Sequence, residues 1–408
     1  MSLLSGMRVV EGSAFVAAPL GGLTLAQLGA DVIRFDRIGG GLDYKRWPVV
    51  ENQVSLYWAG LNKGKRSIAI DLGRPEGREL ASALITAPDD NAGLFLSNFP
   101  ESGWLADSLL RARRPDLVYV NIVGNPDETT AVDYTVNAAS GIALATGTVG
   151  SSLPLNTALP AWDIATGLNA VIALLAAERK RRDTGVGELV KISLADVAFT
   201  MVANLGFLGQ AQAMHENRPP LGNDMYGAFG RDFATSDNRR VMVVAISLNQ
   251  WQSLVEATDI EEHLPAMQHA FGADFTQEGE RYRCRDAIAA LLAPWFAART
   301  LDEIRTELDE HGVCWGPYQT FTQILEEDWR ASTKNPVFGP VDHPGIGELL
   351  TPASPIRIPD MPPVPPASAP LLGTHTDEVL VDVLGLSSAE VGRLHDEGLV
   401  ASEEPLDP

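Results

Sequence analysis

One aspartate, Asp163 in the sequence LPAWDIATG, has a setting that suits a carboxylate nucleophile. It stands at the start of a predicted long helix, where an aspartate commonly serves as an N-cap or as a partner of the helix dipole. Its surroundings are apolar, and partial desolvation beside Trp162 would strengthen the carboxylate as a nucleophile. The residues alone leave the structural and the catalytic role open, and the structural one, as cap or dipole partner, is the commoner.

Motifs for other kinds of chemistry are absent or have the wrong spacing. The segment GLNKGKRS resembles a phosphate-binding loop, but three residues separate Gly60 from Gly64 where that loop has four. In addition, Arg66 stands where the loop requires Ser or Thr. The glycines at 39–41 lack the GxGxxG spacing of a Rossmann dinucleotide site. Neither GxSxG nor HExxH occurs, so serine hydrolases and zinc peptidases have no support.

Composition argues against several binding partners. With 53 acidic and 31 basic residues the formal net charge is -22, which disfavours nucleic acid and anionic membranes as partners. Cys284 and Cys314 lack the spacing of a disulfide framework or a zinc site, so we expect no metal and a reducing cytoplasm. The uncharged stretch 12–30 is interrupted by Pro19 and glycines, which favours a strand end, a turn and a buried helix over a membrane span.

The elements that would position Asp163 form a regular alternation. Short apolar runs alternate with helical patterns, and one of the predicted helices extends from Pro75 to Ile85. A long helix over about 163–182, a further strand and a second long helix through Gln212 follow. The predicted strands are MRVVEG, DVIRFD, RSIAIDL, GLFLSNF, LVYVNIVG and ELVKISL. The alternation predicts an α/β fold with a parallel sheet covered on both faces.

A change of pattern after this region predicts two domains. We expect a large domain over 1–212, a linker over 213–225 and a smaller α+β domain over 226–330. Eleven of the 27 prolines lie between Pro336 and Pro370, which predicts an extended linker over 331–370. The remainder, 371–408, regains a helical pattern, with Ser387 and Glu390 at capping-box spacing, and is expected to return to the large domain.

Four ordered blocks of the sequence resemble one known family. They are RVVEGSAFVAAPLGGLTLAQLGADVIRFDRIGGG, LNKGKRSIAIDLGRPEGRE, WDIATGLNAVIALLAAERKRRDTGVGELVKISL and LLGTHTDEVL. They are similar to the class III CoA-transferases, which include formyl-CoA transferases, carnitine CoA-transferases and α-methylacyl-CoA racemases. The resemblance implies an interlocked homodimer, each chain having a Rossmann-like large domain and a small domain joined by long linkers. It also implies an acyl-CoA substrate, with CoA as part of that substrate and no tightly bound cofactor.

The resemblance also assigns site residues in this sequence. The family's nucleophilic aspartate corresponds to Asp163. As part of the mechanistic hypothesis rather than of the resemblance, the pocket is expected to include Asp133, Tyr134 and Asn137. Backbone amides at Tyr226 and Gly227 are expected to stabilise an oxyanion. CoA contacts are implied at Val16, Ala17, Arg37, Arg46, Lys65, Arg66 and Phe99. Val16 replaces the glutamine of formyl-CoA transferases, which counts against formyl and oxalyl substrates.

One position separates the branches of the family. Racemases carry a His-Asp pair whose histidine moves a proton, whereas this chain has Val132 before Asp133, and a valine cannot do so. The segments EGSAFVAAPLGG, GGGLDYKRWP, VDYTVN and LPAWDI look most like members that move CoA between the C1 and C4 carboxyls of mesaconyl-CoA. We therefore expect intramolecular transfer through an aspartyl-CoA thioester. An intermolecular transferase acting on another dicarboxylic acid and, less favoured, a racemase are the alternatives.

Overall fold

The computed structural model describes residues 2–51 and 53–402, which form two compact units. The first unit contains residues 2–140, Thr157–Gly209 and 328–402, and the second contains Gly141–Asn156 and Gln210–Glu327. Residues 141–156 thus belong to the second unit, although the sequence predicted them within the large domain over 1–212. They join the second unit because Leu221 N–H donates to the Ala145 carbonyl and Gly222 N–H to the Gly147 carbonyl, both at 2.9 Å. Residues 1, 52 and 403–408 of the predicted domains lie outside the described residues.

The described residues form strands and helices over most of their length. The strands are β1 Arg8–Gly12, β2 Asp31–Arg37, β3 Arg66–Ile70, β4 Leu94–Ser97, β5 Val118–Val123, β6 Leu189–Ser193, β7 Phe229–Ala234, β8 Arg240–Ala245, β9 Cys314–Pro317, β10 Phe338–His343, β11 Gly347–Pro352 and β12 Val400–Ala401. The α-helices are α1 Ala17–Gln27, α2 Leu56–Leu61, α3 Pro75–Ile85, α4 Asp107–Arg113, α5 Asp133–Ala139, α6 Ile142–Ala145, α7 Ala161–Thr184, α8 Leu194–Asn204, α9 Phe207–Met214, α10 Leu248–Thr258, α11 Leu264–Phe271, α12 Glu278–Arg283, α13 Arg285–Ala297, α14 Leu301–Glu310, α15 Phe321–Glu327, α16 Thr376–Asp382 and α17 Ser388–Asp396. Short 3₁₀ helices cover Gly103–Leu105, Glu261–His263 and Trp329–Ala331.

The first unit is built on a sheet of order β12-β3-β2-β1-β4-β5-β6. All its strand pairs are parallel except that β12 runs antiparallel to β3. Helices α1 and α7 pack on one face, where Val9 is buried, and α3, α16 and α17 pack on the other, where Val10 is buried. Burying both faces of β1 requires its run of apolar side chains, and each such side chain contributes about 1.5–3 kcal/mol. The predicted α/β fold with a parallel sheet is confirmed.

The observed helix boundaries can be compared with those predicted from the sequence. Helix α3 begins at Pro75 and ends at Ile85, as predicted. The predicted helix through Gln212 is wrong, because Gly206 adopts a φ of +82° and separates α8 from α9. By length and composition α7 could also cross a membrane, although Ala170, Val171 and Leu174 belong to the buried core of the first unit.

The proline-rich segment contains regular structure that the sequence did not suggest. Strands β10 and β11 form an antiparallel hairpin that pairs Phe338 with Pro352 and Pro340 with Leu350. Because the hairpin has only two strands, each strand has one edge without a ladder partner, where proline is tolerated. The extended linker predicted over 331–370 is therefore interrupted at 338–352.

The chain after this segment lies against the sheet of the first unit. Strand β12 pairs Val400 with Ile70 of β3. The buried Thr376 hydroxyl accepts the Ala69 N–H at 3.2 Å and donates to the Ala401 carbonyl at 2.7 Å. The predicted capping box of Ser387 and Glu390 is present at the start of α17.

The second unit has its own core. Strands β7, β8 and β9 form an antiparallel sheet in that order, and α10, α13 and α14 bury apolar side chains against it. Phe233 and Phe296 stack at its centre with ring centroids 4.4 Å apart. The smaller α+β unit predicted by the sequence is confirmed in type.

Candidate active site

Asp163 lies in the first turn of α7, but it does not cap that helix. The backbone N–H groups of Trp162 and Asp163 instead donate to Oδ2 of Asp133, at 2.8 and 3.1 Å. Asp133 is the first residue of α5 and is only 2% exposed. A carboxylate from another helix thus satisfies the N–H groups that a local N-cap would have taken. Asp163 is therefore not the N-cap, while its place in the first turn is the one that a partner of the helix dipole occupies.

The carboxylate of Asp163 itself remains free. Within residues 2–51 and 53–402, no hydrogen bond or ion pair engages either of its oxygens. Burial, and then the like charge of Asp133, raise the pKa of Asp163 to about 6. At neutral pH the group is ionised, poorly solvated and more basic than an ordinary aspartate. These are the properties that a carboxylate nucleophile requires.

Asn137 completes the support of this helix start. Its Oδ1 accepts the indole N–H of Trp162 at 3.1 Å, and its side chain is buried. Tyr134 is half exposed, and its hydroxyl donates to the Ala158 carbonyl at 3.5 Å. Of the three pocket residues predicted on α5, Asp133 and Asn137 therefore hold α7 in place, and only Tyr134 faces outward.

A close helix contact fixes α7 against the sheet. A Cβ atom at Gly167, one turn after Asp163, would lie 2.5 Å from the carbonyl oxygen of Ala17, so the two backbones touch there. Val16 is the N-cap residue of α1, and Ala17 is its first residue. The structure therefore brings the predicted contact residues Val16 and Ala17 beside the first turns of α7.

Arg46 is held by two aromatic rings, one of which, Phe15, immediately precedes the N-cap of α1. Its guanidinium carbon lies 5.0 Å from the ring centre of Tyr57 and 5.8 Å from that of Phe15. Burial raises the pKa of Tyr57 to about 12; the charge of Arg46 opposes that rise, and the charges of Asp43 and then Asp163 add to it. Phe15 has a φ of +66°, a backbone conformation that residues other than glycine rarely adopt. Such residues cluster at functional sites. Sequence reasoning found Arg46 but missed Tyr57 and Phe15.

A buried network of charged side chains supports the chain segment that carries Arg46. The Arg34 guanidinium, 1% exposed, donates to both oxygens of Asp36 and to Asp43 at 2.8 to 3.0 Å. Lys65 donates to Glu11 at 3.0 Å and to the Pro19 carbonyl at 2.9 Å, and burial lowers its pKa to about 8. Because Asp43 is three residues before Arg46, this network anchors the turn that carries Arg46.

Strand register separates the predicted CoA contacts into two groups. Arg37 ends β2, and Phe99 follows β4, so both lie at the carboxyl edge of the sheet, where open α/β sheets bind ligands. Lys65 and Arg66 lie instead at the amino end of β3, because β2 and β3 pair Arg37 with Ile70 rather than with Arg66. The Lys65 side chain is fully buried, and Arg66 is ion-paired to Asp31 and Glu378. The structure thus does not bring Lys65 and Arg66 to the edge that carries Arg37.

Known proteins resemble the chain over nearly its full length. Residues 4–376 match the family described as CoA-transferase family III. The chain belongs to that family. It is 54% identical over 403 residues to a 2-methylfumaryl-CoA isomerase of Chloroflexus aurantiacus, covering 98% of each chain. It is 28% identical to a succinyl-CoA:mesaconate CoA-transferase of Haloarcula hispanica, covering 93% of this chain and 96% of that one. A crystal structure of a CAIB/BAIF family protein from Brucella suis superposes with a TM-score of 0.76 at 27% identity, covering 94% of this chain and 99% of that one.

Two residues predicted for the transferase pocket lie in the second unit. The Tyr226 hydroxyl accepts a hydrogen bond from Gln210 Nε2 at 2.9 Å, and its ring lies 4.0 Å below the Arg218 guanidinium carbon. Gly227 follows at a φ of +83°, just before β7. Among the residues that the structure describes, no group of three His, Cys, Asp or Glu side chains is arranged to hold a metal ion.

The raised pKa of Asp163 predicts a cost in stability. In the unfolded chain its pKa returns to about 3.9, so ionisation destabilises the folded protein above pH about 6 and has no effect below pH about 4. Asp163→Asn should therefore raise stability at pH 7.5, by on the order of 1–2 kcal/mol after allowance for partial solvent screening. The gain should disappear at pH 4. Thermal denaturation at both pH values measures it.

Asp302→Asn provides the matched control, since Asp302 also lies in a first helical turn, that of α14, but its side chain is 93% exposed. This variant should lose a little stability at pH 7.5, because a favourable helix-dipole interaction is removed. An Asp163→Asn protein no more stable than wild type at pH 7.5 would contradict the desolvated carboxylate.

Proposed function

We propose that this chain is a 2-methylfumaryl-CoA isomerase, which moves CoA between the C1 and C4 carboxyls of mesaconyl-CoA. The reaction type is supported by the carboxylate of Asp163, which is partly desolvated and has no hydrogen-bond partner among the described residues. Asp133, and not Asp163, accepts the first N–H groups of α7. The choice of substrate follows the relative that is 54% identical over 98% of both chains. CoA enters as part of the substrate, and no tightly bound cofactor is needed.

The first half of the reaction moves CoA from the substrate to the enzyme. A carboxylate oxygen of Asp163 attacks the thioester carbonyl carbon at C1, the C–S bond breaks, and CoA leaves as a thiolate. The product is a mixed anhydride between Asp163 and the C1 carboxyl. The thiolate then attacks the aspartyl carbonyl carbon, which yields an aspartyl-CoA thioester and a free dicarboxylate.

The second half repeats these steps at the other end of the acid. The C4 carboxylate attacks the aspartyl thioester carbonyl and expels CoA thiolate, and the thiolate attacks C4 of the new anhydride. Asp163 leaves as a carboxylate, and the C4 thioester is complete. Each step exchanges one acyl bond for another, so no proton or electron has to be supplied.

Intermolecular transfer is the second candidate. It is favoured by the relative that is 28% identical and named a succinyl-CoA:mesaconate CoA-transferase. It would use the same Asp163 chemistry, with the free acid leaving and another entering. Racemisation lacks support, because Val132 is 49% exposed and cannot exchange a proton, while Asp133 is buried and engaged with α7.

Incubation of the purified protein with mesaconyl-C1-CoA alone, in the presence of EDTA, should yield the C4 thioester. Chromatographic separation of the two isomers measures the conversion. Asp163→Asn should reduce the rate by about a thousandfold or more, because an amide cannot form the anhydride. Hydroxylamine added during turnover should convert Asp163 of the wild type to a hydroxamate, detectable by mass spectrometry of the peptide.

Asp302→Asn serves as the control and should isomerise at the wild-type rate, since its side chain on α14 is 93% exposed and is not among the predicted site residues. A strict requirement for a second carboxylic acid would reject the isomerase in favour of the intermolecular transferase. Substantial turnover by Asp163→Asn would reject the covalent mechanism itself.

The rate should depend on pH through Asp163. Since only the ionised carboxylate attacks, kcat/KM should rise with pH up to about 6 and then level off. Asp133→Asn should move this inflection to lower pH because it removes the like charge that raises the pKa of Asp163. The amide oxygen can still accept the N–H groups of Trp162 and Asp163, so the helix start is kept. An inflection unchanged by Asp133→Asn would show that Asp133 does not tune the nucleophile.

We also propose a homodimer in the cytoplasm, with the two chains interlocked as the family resemblance implies. Leu168 and Ile172 on α7 and Leu205 after α8 are exposed apolar side chains in the single chain, as expected of a surface that another chain covers.

Light scattering should give twice the chain mass of 43.8 kDa. The dimer should persist on dilution, since interlocked chains separate only by unfolding. A mass of one chain would refute the dimer.

A further inference from the structure

The proposed isomerisation requires the free dicarboxylate to stay bound while CoA resides on Asp163. A dianion that leaves at this stage turns the reaction into an intermolecular transfer. Retention therefore needs a cation near Asp163 whose hydrogen-bond donors are not already used by the protein. Most cations in the first unit fail this requirement, since Arg34, Lys65 and Arg66 are each paired with carboxylates.

Arg46, whose side chain is exposed, has such unused donors. In the described parts of the chain, no hydrogen bond or ion pair engages its guanidinium, in a protein with 53 acidic and 31 basic residues. Its guanidinium carbon instead lies over the rings of Tyr57 and Phe15, and these contacts supply no oxygen or nitrogen acceptor for its N–H groups. An arginine held by cation–π contacts can still bind a carboxylate with two parallel hydrogen bonds.

The local backbone holds Arg46 and Tyr57 together. The Ser55 hydroxyl donates to the carbonyl of Arg46 and accepts the N–H of Trp58 at 3.1 Å, at the start of α2. Tyr57 is the second residue of that helix. One serine therefore joins the segment that carries Arg46 to the helix that carries Tyr57.

The Tyr57 hydroxyl is a second unused donor. It is shielded from solvent and has no hydrogen-bond partner among residues 2–51 and 53–402. A buried hydroxyl without a partner is unfavourable unless a ligand supplies an acceptor. The charge of Asp163, after those of Arg46 and Asp43, affects the pKa of Tyr57, and no hydrogen bond joins the Tyr57 hydroxyl to Asp163. The hydroxyl therefore remains available as a donor.

We propose that Arg46 and Tyr57 form a clamp for the carboxylate of the substrate that is not bonded to CoA. Arg46 donates two N–H groups to this carboxylate, and the Tyr57 hydroxyl donates to one of its oxygens. This inference rests on the proposed isomerase function and names the group that makes the transfer intramolecular. Phe15, whose ring contacts Arg46, lies two residues before Ala17, and the Ala17 carbonyl touches α7 one turn after Asp163. Because the thioester end of CoA must meet Asp163, this side of α7 faces the acyl group rather than the phosphates. Arg46, for which the family resemblance implies a CoA contact, thus serves the acid half of the substrate.

A retention experiment tests the clamp. The enzyme is incubated with unlabelled mesaconyl-C1-CoA and an excess of free ¹³C-labelled mesaconate, and mass spectrometry measures labelled and unlabelled CoA thioesters. Wild type should form the unlabelled C4 thioester almost exclusively. In Arg46→Gln, the ratio of internal isomerisation to label incorporation should fall by about tenfold or more, as expected when a hydrogen-bonded charge pair is lost. Tyr57→Phe keeps the ring against Arg46 and should lower the ratio by a smaller factor.

Lys45→Gln is the matched control, because it removes the adjacent exposed positive charge and should leave the ratio unchanged. General damage to the site would slow isomerisation and exchange alike and would not move the ratio. A wild-type ratio in both Arg46→Gln and Tyr57→Phe overturns the clamp while the isomerase stands. Rapid incorporation of label by the wild type itself overturns the isomerase function together with the clamp.

Discussion

The site depends on a pair of hydrogen bonds from the start of α7 to the side chain of Asp133. The first N–H groups of any helix need acceptors, and an aspartate within the first turn is a ready candidate. Here Asp133 provides the acceptor from α5, so the carboxylate of Asp163 keeps its lone pairs for chemistry. Burial raises the pKa of Asp163, and the charge of the same Asp133 raises it further. One residue therefore both releases the nucleophile and tunes it.

Much of the framework could be predicted because its signals are local. The boundaries of α3 follow from a proline at the first helical position and from apolar spacing, and both are visible in the sequence. The parallel sheet follows from alternating strands and helices. In contrast, Gly206 ends α8 through a left-handed backbone conformation, and the hairpin of β10 and β11 forms within a proline-rich stretch. Neither feature has a periodic signal, so both escaped prediction.

The candidate site was less predictable, because its parts come together only in three dimensions. From the residues alone, Asp163 was more easily explained as a helix cap, and only the family resemblance favoured a nucleophile. The cap is supplied from a residue 30 positions away, a pairing that no spacing rule reveals. The positions of Lys65 and Arg66 depend on the register of β2 with β3, which the sequence leaves undetermined. Phe15 reaches Arg46 only through an unusual backbone conformation.

The interaction between Asp133 and α7 also bears on the order of folding. Asp163 comes under the like charge of Asp133, and the first N–H groups of α7 gain their acceptor, only when α5 has docked against the start of α7. Packing of these two helices therefore precedes the formation of the complete nucleophile.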